Sequence, residues 1–169
     1  PLAALRCTLL PAVRERGIFL AILGISWFWF ASLTYMIYLP DFASTFHGAD
    51  LDAGLVMLAT LLAGIALGAL LCTPLSGGRV ELGLVPLGAI GILVTGLAFY
   101  LMTPSIMPPA TIDLATMLDD GGYRRSLIIL LLMGMATGCY VVPLYALVLA
   151  YARRPVLGRV LGGMYLFNL

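Results

Sequence analysis

The chain has 169 residues, of which 62% are hydrophobic and 10% charged, and its formal net charge is +1. Soluble domains carry about 25% charged residues, so this composition excludes a water-soluble domain, and the small net charge gives no basic surface for nucleic acid. The apolar residues form blocks of about 20 residues, which is the helix length that crosses a bilayer. We therefore predict an all-α, polytopic membrane protein.

Four apolar blocks, and the beginning of a fifth, follow one another along the chain. Residues 1–16 are predicted to form a cytoplasmic segment. Transmembrane helices are predicted at 17–39, 53–75, 82–102 and 126–151, and a fifth helix is predicted to start within 160–169. Because the chain lacks an initiator Met and stops inside an apolar block, we expect residues 1–169 to be a single, incomplete transmembrane domain of a longer protein.

Arginines predict the topology, because cytoplasmic loops of membrane proteins hold the excess of basic residues. They precede the first helix and recur in the second and fourth connections, whereas the first and third connections carry the aspartates. The arginines concerned are Arg6, Arg14, Arg16, Arg79, Arg153, Arg154 and Arg159. The amino-terminal end is therefore placed in the cytoplasm, and the helices alternate in direction from there.

Two connections carry further local signals. Gly77 and Gly78 predict a tight turn that makes the second and third helices antiparallel neighbours. In the longer third connection, Thr111 is predicted to cap a short surface helix that ends at Gly121.

The predicted helices contain no Asp, Glu, Lys, Arg or His, which are the usual mark of an ion or proton pathway. Neutral polar and aromatic residues occur instead, and Trp27, Thr34 and Tyr38 share one side of the first helix. This side suits the wall of a partly wet cavity. Interhelical hydrogen bonding by Thr34 and interfacial anchoring by Tyr38 explain the same residues.

Small residues predict where helices pack closely. Gly64 and Gly68 in the second helix, and Gly134 and Gly138 in the fourth, each form a small-xxx-small pair that lets a neighbouring backbone approach. Pro143 is predicted to kink the fourth helix.

No catalytic, metal or cofactor site is predicted. His47 and Asp52 have an H-x-x-x-x-D spacing seen in acyltransferases, but we reject that interpretation because they lie in a predicted outer connection while activated acyl donors are cytoplasmic. Cys7, Cys72 and Cys139 have no metal-ligand spacing and are interpreted as apolar packing residues.

Three stretches carry a family resemblance: GISWFWF at Gly24–Phe30, LSGGRVELGLVPLG at Leu75–Gly88 and VVPLYAL at Val141–Leu147. They resemble the lysophospholipid transporter branch of the major facilitator superfamily. The match is closest to the form fused ahead of an acyltransferase and an acyl-carrier-protein synthetase. The resemblance implies a partial carboxy-terminal half of a twelve-helix transporter, with helices seven to ten complete and the start of helix eleven.

The resemblance also implies a gating loop at the second connection. There Thr73 and Pro74 stand where this branch usually carries an acidic and a basic residue, so only Arg79 and Glu81 remain for a cytoplasmic latch. Arg79 serves equally well as a topology determinant.

The function implied by the resemblance is transport, not catalysis by this segment. A lysophospholipid, most simply lysophosphatidylethanolamine, would move from the outer to the inner face of a bacterial cytoplasmic (inner) membrane by alternating access. Its partners would be membrane lipids, an amino-terminal six-helix half and a fused or separate acyltransferase. The candidate substrate-binding residues are Trp27, Thr34, Tyr38, Thr137 and Tyr140.

Three alternatives stay open at this point. The domain could be a non-transporting anchor or regulator of an acyltransferase, a facilitator for a small molecule, or a structural helical bundle without a ligand.

Overall fold

Four α-helices make up the part of the chain that the computed structural model describes, residues 16–47, 51–75, 83–102 and 119–151. The helices are α1 (Arg16–His47), α2 (Leu51–Leu75), α3 (Leu84–Met102) and α4 (Gly121–Tyr151). Each contains a stretch long and apolar enough to cross a membrane: Phe19–Ala43, Asp52–Pro74, Leu84–Met102 and Gly121–Ala150. Within these ranges, the predicted all-α fold with four spanning helices is confirmed.

Helix α1 runs on from its predicted end at Leu39, through Pro40, to His47. Proline inside a helix removes one backbone hydrogen bond, but the apolar period continues, since Leu39 and Ala43 are both buried in one cluster. Gly54 of α2 also lets the two backbones meet here, because a methyl group added to it would lie 2.9 Å from the Cα of Pro40. Packing on both sides therefore outweighs the cost of the proline.

Helix α4 begins at Gly121, ahead of its predicted start at Ser126, because Asp120 caps it. The backbone N–H of Tyr123 donates to Oδ2 of Asp120 at 2.9 Å, and that of Arg124 donates to the Asp120 carbonyl at 3.1 Å. A carboxylate at this position satisfies amides that have no partner within the helix. The short helix predicted from Thr111 lies outside the described residues.

The observed helices include ionisable residues close to their ends, which the narrower predicted spans leave out. Asp41 lies in α1, Asp52 in the first turn of α2, and Arg124 and Arg125 in the first turn of α4, and all four are exposed. His47 is the last residue of α1 rather than part of a loop.

Helix α4 packs against all three other helices, and α1 also packs against α2. The prediction that α2 and α3 are packed neighbours is wrong, because α2 and α3 lack an extensive contact and each packs along α4. A tight connection brings two helix ends together but does not decide which faces pack. The glycine-bearing faces of α2 and α3 decide that here.

Side-chain contacts give the directions of the helices. Tyr123 near the start of α4 meets Ala53 near the start of α2, and Cys139 further along α4 meets Gly68 further along α2. These two helices are therefore parallel. In contrast, Tyr140 meets Gly24 near the start of α1, so α1 runs opposite to α4. Gly88 near the start of α3 also lies against Tyr140, so α3 is antiparallel to α4 too.

The glycines Gly64 and Gly68 of α2 lie against Gly134 and Gly138 of α4. A methyl group on Gly134 would lie 2.8 Å from the Cα of Gly64, and one on Gly138 would lie 2.9 Å from the carbonyl carbon of Gly68. Real Cβ atoms do not approach so closely, so α2 and α4 touch backbone to backbone. This contact fixes the distance between the two helices.

Two buried clusters hold the bundle together at its opposite ends. The first cluster joins the start of α1 to the end of α4 and consists of Ala21, Ile22, Ile25, Leu144, Leu147 and Val148. The second cluster joins the end of α1 to the starts of α2 and α4 and consists of Leu39, Ala43, Ala53, Met57, Leu61, Tyr123, Leu130 and Met133. The candidate site lies between the two clusters.

Candidate functional site

A partly open cavity of about 240 Å³ lies in the middle of the bundle, where all four helices contribute to its wall. Helix α1 supplies most of the aromatic side chains, α2 supplies an aliphatic side, and α3 and α4 close the remainder. The lining residues are Trp27, Phe28, Trp29, Ala31, Ser32, Tyr35, Met36, Leu58, Leu61, Leu62, Ile65, Ile92, Met133, Thr137 and Tyr140. We call this space the central cavity.

A wider groove of about 670 Å³ runs along the outer side of α1 beside α4. It is lined by Leu20, Leu23, Gly24, Ser26, Trp27, Phe30 and Tyr140. Trp27 and Tyr140 line both spaces, so these two side chains stand between the central cavity and the groove.

The polar groups of the wall are neutral, and three of them already bond to other protein groups. Thr137 Oγ1 donates to the carbonyl of Met133 at 2.7 Å, and the hydroxyl of Tyr140 donates to the carbonyl of Gly24 at 3.3 Å. The indole N–H of Trp29 donates to the hydroxyl of Tyr145 at 2.9 Å. The wall therefore presents mainly carbon to the cavity, with the hydroxyls of Ser32 and Tyr35 as further polar groups.

Close approach of α1 and α4 is what places Tyr140 at the wall. A methyl group on Gly24 would lie 2.8 Å from the hydroxyl oxygen of Tyr140 and 2.9 Å from Cδ1 of Leu144. The absent side chain of Gly24 thus leaves room for the phenol ring, and the Gly24 carbonyl accepts its hydrogen bond.

The structure brings three of the five predicted lining residues together. Trp27, Thr137 and Tyr140 all line the central cavity. Thr34 and Tyr38 do not, although they share the helical face of Trp27. Thr34 is exposed and donates its hydroxyl to the carbonyl of Phe30 at 2.9 Å, and Tyr38 is 65% exposed.

Thr34 and Tyr38 do not reach the cavity because of the direction of the α1 face that they share with Trp27. It points away from α2, α3 and α4, so Thr34 and Tyr38 remain outside, while Trp27 reaches the cavity from its border. Arg79 and Glu81, the predicted gating residues, lie outside the described residues.

The aliphatic side of the cavity is what sequence reasoning missed. Leu58, Leu61, Leu62 and Ile65 of α2 line it, with the spacing of one helical face. That spacing carries no signal in α2, since nearly every neighbouring position is also apolar and no polar face contrasts with it.

The exposed surfaces of the helices differ in kind. The large exposed side chains of α3 are mostly aliphatic, such as Leu93 at 71% and Leu101 at 70%. Helix α1 exposes aromatic rings as well as aliphatic side chains, including Trp27 and Phe30, both at 64%.

Among the residues that the structure describes, no group of three or more His, Cys, Asp or Glu could hold a metal ion. Neither the central cavity nor the groove is lined by Asp, Glu, Lys, Arg or His. The wall therefore offers mainly shape and apolar contact to a ligand.

Four helices of spanning length, packed around an uncharged cavity, define an α-helical multi-pass membrane protein. Comparison of the chain with protein-family models, with curated proteins and with solved structures found no match.

Proposed function

We propose that the protein carries a lysophospholipid, lysophosphatidylethanolamine, from the outer to the inner face of a bacterial cytoplasmic membrane by alternating access. The observation that supports this proposal most is the central cavity, which is concave, lined with aromatic and aliphatic side chains, and free of charge. A lipid with one acyl chain needs such a space, because ligand sites are concave and mainly apolar with a few polar groups.

The absence of Asp, Glu, Lys, Arg and His from the cavity wall also supports an apolar cargo. Buried charges in membrane proteins are costly and mark ion or proton paths. A wall of Trp27, Tyr35, Thr137 and Tyr140 instead offers ring faces and hydroxyls. These groups can contact the junction of an acyl chain with a glycerol without repelling the chain.

The exposed surface of α1 is consistent with a contact to a second half of the transporter. In a transporter built from two halves, the substrate site lies where the halves meet, and rocking of one half against the other changes its access. The exposed residues Trp27, Phe30, Thr34 and Tyr38 would face the amino-terminal six-helix half. A fused or partner acyltransferase would then reacylate the delivered lipid, and Arg79 and Glu81 would belong to the cytoplasmic latch.

Uptake by bacterial spheroplasts tests this function. The complete reading frame is expressed in spheroplasts that lack their own lysophospholipid transporter, with any fused enzyme activity disabled, and uptake of labelled lysophosphatidylethanolamine is measured. We expect uptake above an empty-vector control, and a fall of about tenfold in Trp27→Ala and Tyr140→Ala, which is the effect of removing one aromatic contact.

Tyr100→Ala is the matched control, because Tyr100 is 76% exposed on α3 and lines neither the cavity nor the groove. Its uptake should equal that of the unaltered protein. No uptake by protein that is shown to be inserted and folded would refute lipid transport and favour an anchoring or regulatory domain. Uptake of a small metabolite instead of the lipid would favour a small-molecule facilitator.

A further inference from the structure

The central cavity is too large to be an ordinary packing defect. Protein interiors contain few voids larger than a water molecule, and an apolar cavity of about 150 Å³ in another protein is large enough to bind benzene. The central cavity measures about 240 Å³. An apolar space of this size lowers stability when empty, so an apolar occupant would stabilise the bundle.

Water is a poor occupant of the aliphatic side of the central cavity. A buried water molecule needs two to four polar partners, and the hydroxyls of Thr137 and Tyr140 already donate to the carbonyls of Met133 and Gly24. The α2 side offers only carbon, from Leu58, Leu61, Leu62 and Ile65. A polar head group would meet the same lack of partners on the α2 side, whereas the hydroxyls of Ser32 and Tyr35 lie elsewhere in the wall.

We infer that the central cavity is the acyl-chain site of the carried lipid, and that Ile92 helps to set which chain length fits. This inference rests on the proposed function, since the lysophospholipid supplies the chain. The chain lies against the α2 leucines and Ile92, and the glycerol and head group lie toward Trp27 and Tyr140, where the cavity borders the groove.

Ile92 is the residue by which α3 enters the cavity wall. Two other positions of α3, Gly88 and Gly91, make close backbone contacts with α4, where they lie against Ala136 and Tyr140. A substitution at Ile92 therefore changes the volume of the cavity while leaving the glycine contacts between helices in place.

The test is a competition between two lipids for the purified protein of the complete reading frame in nanodiscs. Octanoyl and dodecanoyl lysophosphatidylethanolamine, each with a photoactivatable group on its chain, are mixed, irradiated and quantified by mass spectrometry on peptides from the cavity wall. The ratio of the two captured lipids is independent of how much protein is folded, so a partly misfolded variant still gives an answer.

Ile92→Phe should shift the capture ratio toward the octanoyl lipid, and Ile92→Ala should shift it toward the dodecanoyl lipid. We expect the capture ratio to change by about fourfold for each chain methylene that enters or leaves the cavity. Ile90→Phe and Ile90→Ala are the matched controls, because Ile90 lies on the same helix and is 60% exposed. Their ratios should stay at the value of the unaltered protein.

An unchanged ratio in both Ile92 variants, or equal shifts in the Ile90 variants, would overturn the inference. Greater thermal stability of Ile92→Phe without a shifted ratio would also overturn it, because the cavity would then be a packing defect. A shifted ratio without uptake by spheroplasts would refute transport and leave the chain site standing. Uptake without any shift would refute the chain site and leave transport standing.

Discussion

Tyr123 shows how one side chain can tie two membrane helices together. It is fully buried at the start of α4, and its hydroxyl donates to the carbonyl of Ala53 in α2 at 2.8 Å. Its ring packs in the second cluster with Met57 and Leu130. From sequence, Tyr123 belongs to the connection before the fourth helix, because the Asp120 cap that starts the helix earlier depends on a folded backbone.

Replacing Tyr123 with Phe keeps the ring and removes the hydrogen bond. We expect Tyr123→Phe to lower the free energy of unfolding by about 1 kcal/mol, the usual contribution of one such bond. The free energy can be measured by unfolding in SDS from mixed micelles. Tyr100→Phe, which alters an exposed tyrosine on α3, should leave it unchanged, and equal losses in the two variants would argue against the role of the hydrogen bond.

For the helices, a feature could be predicted from sequence where it depends only on nearby residues, and not where it depends on packing against another helix. The four helices follow from four apolar blocks, which need no knowledge of their neighbours. Their ends do not, because α1 passes through Pro40 only where Gly54 and the second cluster support it. The glycine pairs indicate that some helix approaches closely, but sequence does not show that α2 and α4 approach each other.

Filling one of these glycine contacts should separate α2 from α4. We expect Gly138→Ala to lower the free energy of unfolding by about 1–3 kcal/mol, since overpacking a tight contact costs that much. The control is Gly96→Ala on α3, where a methyl group meets nothing within 4 Å. That variant should be about 0.5–1 kcal/mol more stable, because alanine is the better helix former. Equal effects in SDS unfolding would contradict the backbone contact.

At the scale of the whole molecule, the helix directions place the connections on two sides of the bundle. The end of α1 and the start of α2 lie on the same side as the end of α3 and the start of α4. The end of α2 and the start of α3 lie on the opposite side. The arginine pattern predicts the same grouping and adds an orientation, with the second connection in the cytoplasm.

Cysteine labelling tests this grouping and orientation. Single cysteines are introduced as Ala49→Cys, Ala110→Cys or Gly78→Cys in a protein whose native cysteines are replaced by alanine. We expect a membrane-impermeant maleimide to label Ala49→Cys and Ala110→Cys in intact spheroplasts, and Gly78→Cys only after permeabilisation. Different labelling of Ala49→Cys and Ala110→Cys would contradict the helix directions, and labelling of Gly78→Cys alone would reverse the orientation.

The candidate site could be predicted only in part, again for a physical reason. Helical phase groups Trp27, Thr34 and Tyr38 on one side of α1, but phase does not say what that side faces. The neighbours of α1 decide it, and they bring Trp27 to the cavity while Thr34 and Tyr38 stay exposed. On α2 the buried face cannot be identified from the sequence, because the helix is apolar on all sides and no polar face stands opposite the buried one.

The chain contains two tryptophans, and both Trp27 and Trp29 line the central cavity. Ultraviolet emission from indole depends on the polarity and the quenchers next to the ring, so nearly all of this chain's intrinsic fluorescence originates at the one place where a ligand would sit. A lipid brominated along its chain would therefore quench the tryptophan emission when it enters the cavity, and no dye need be attached.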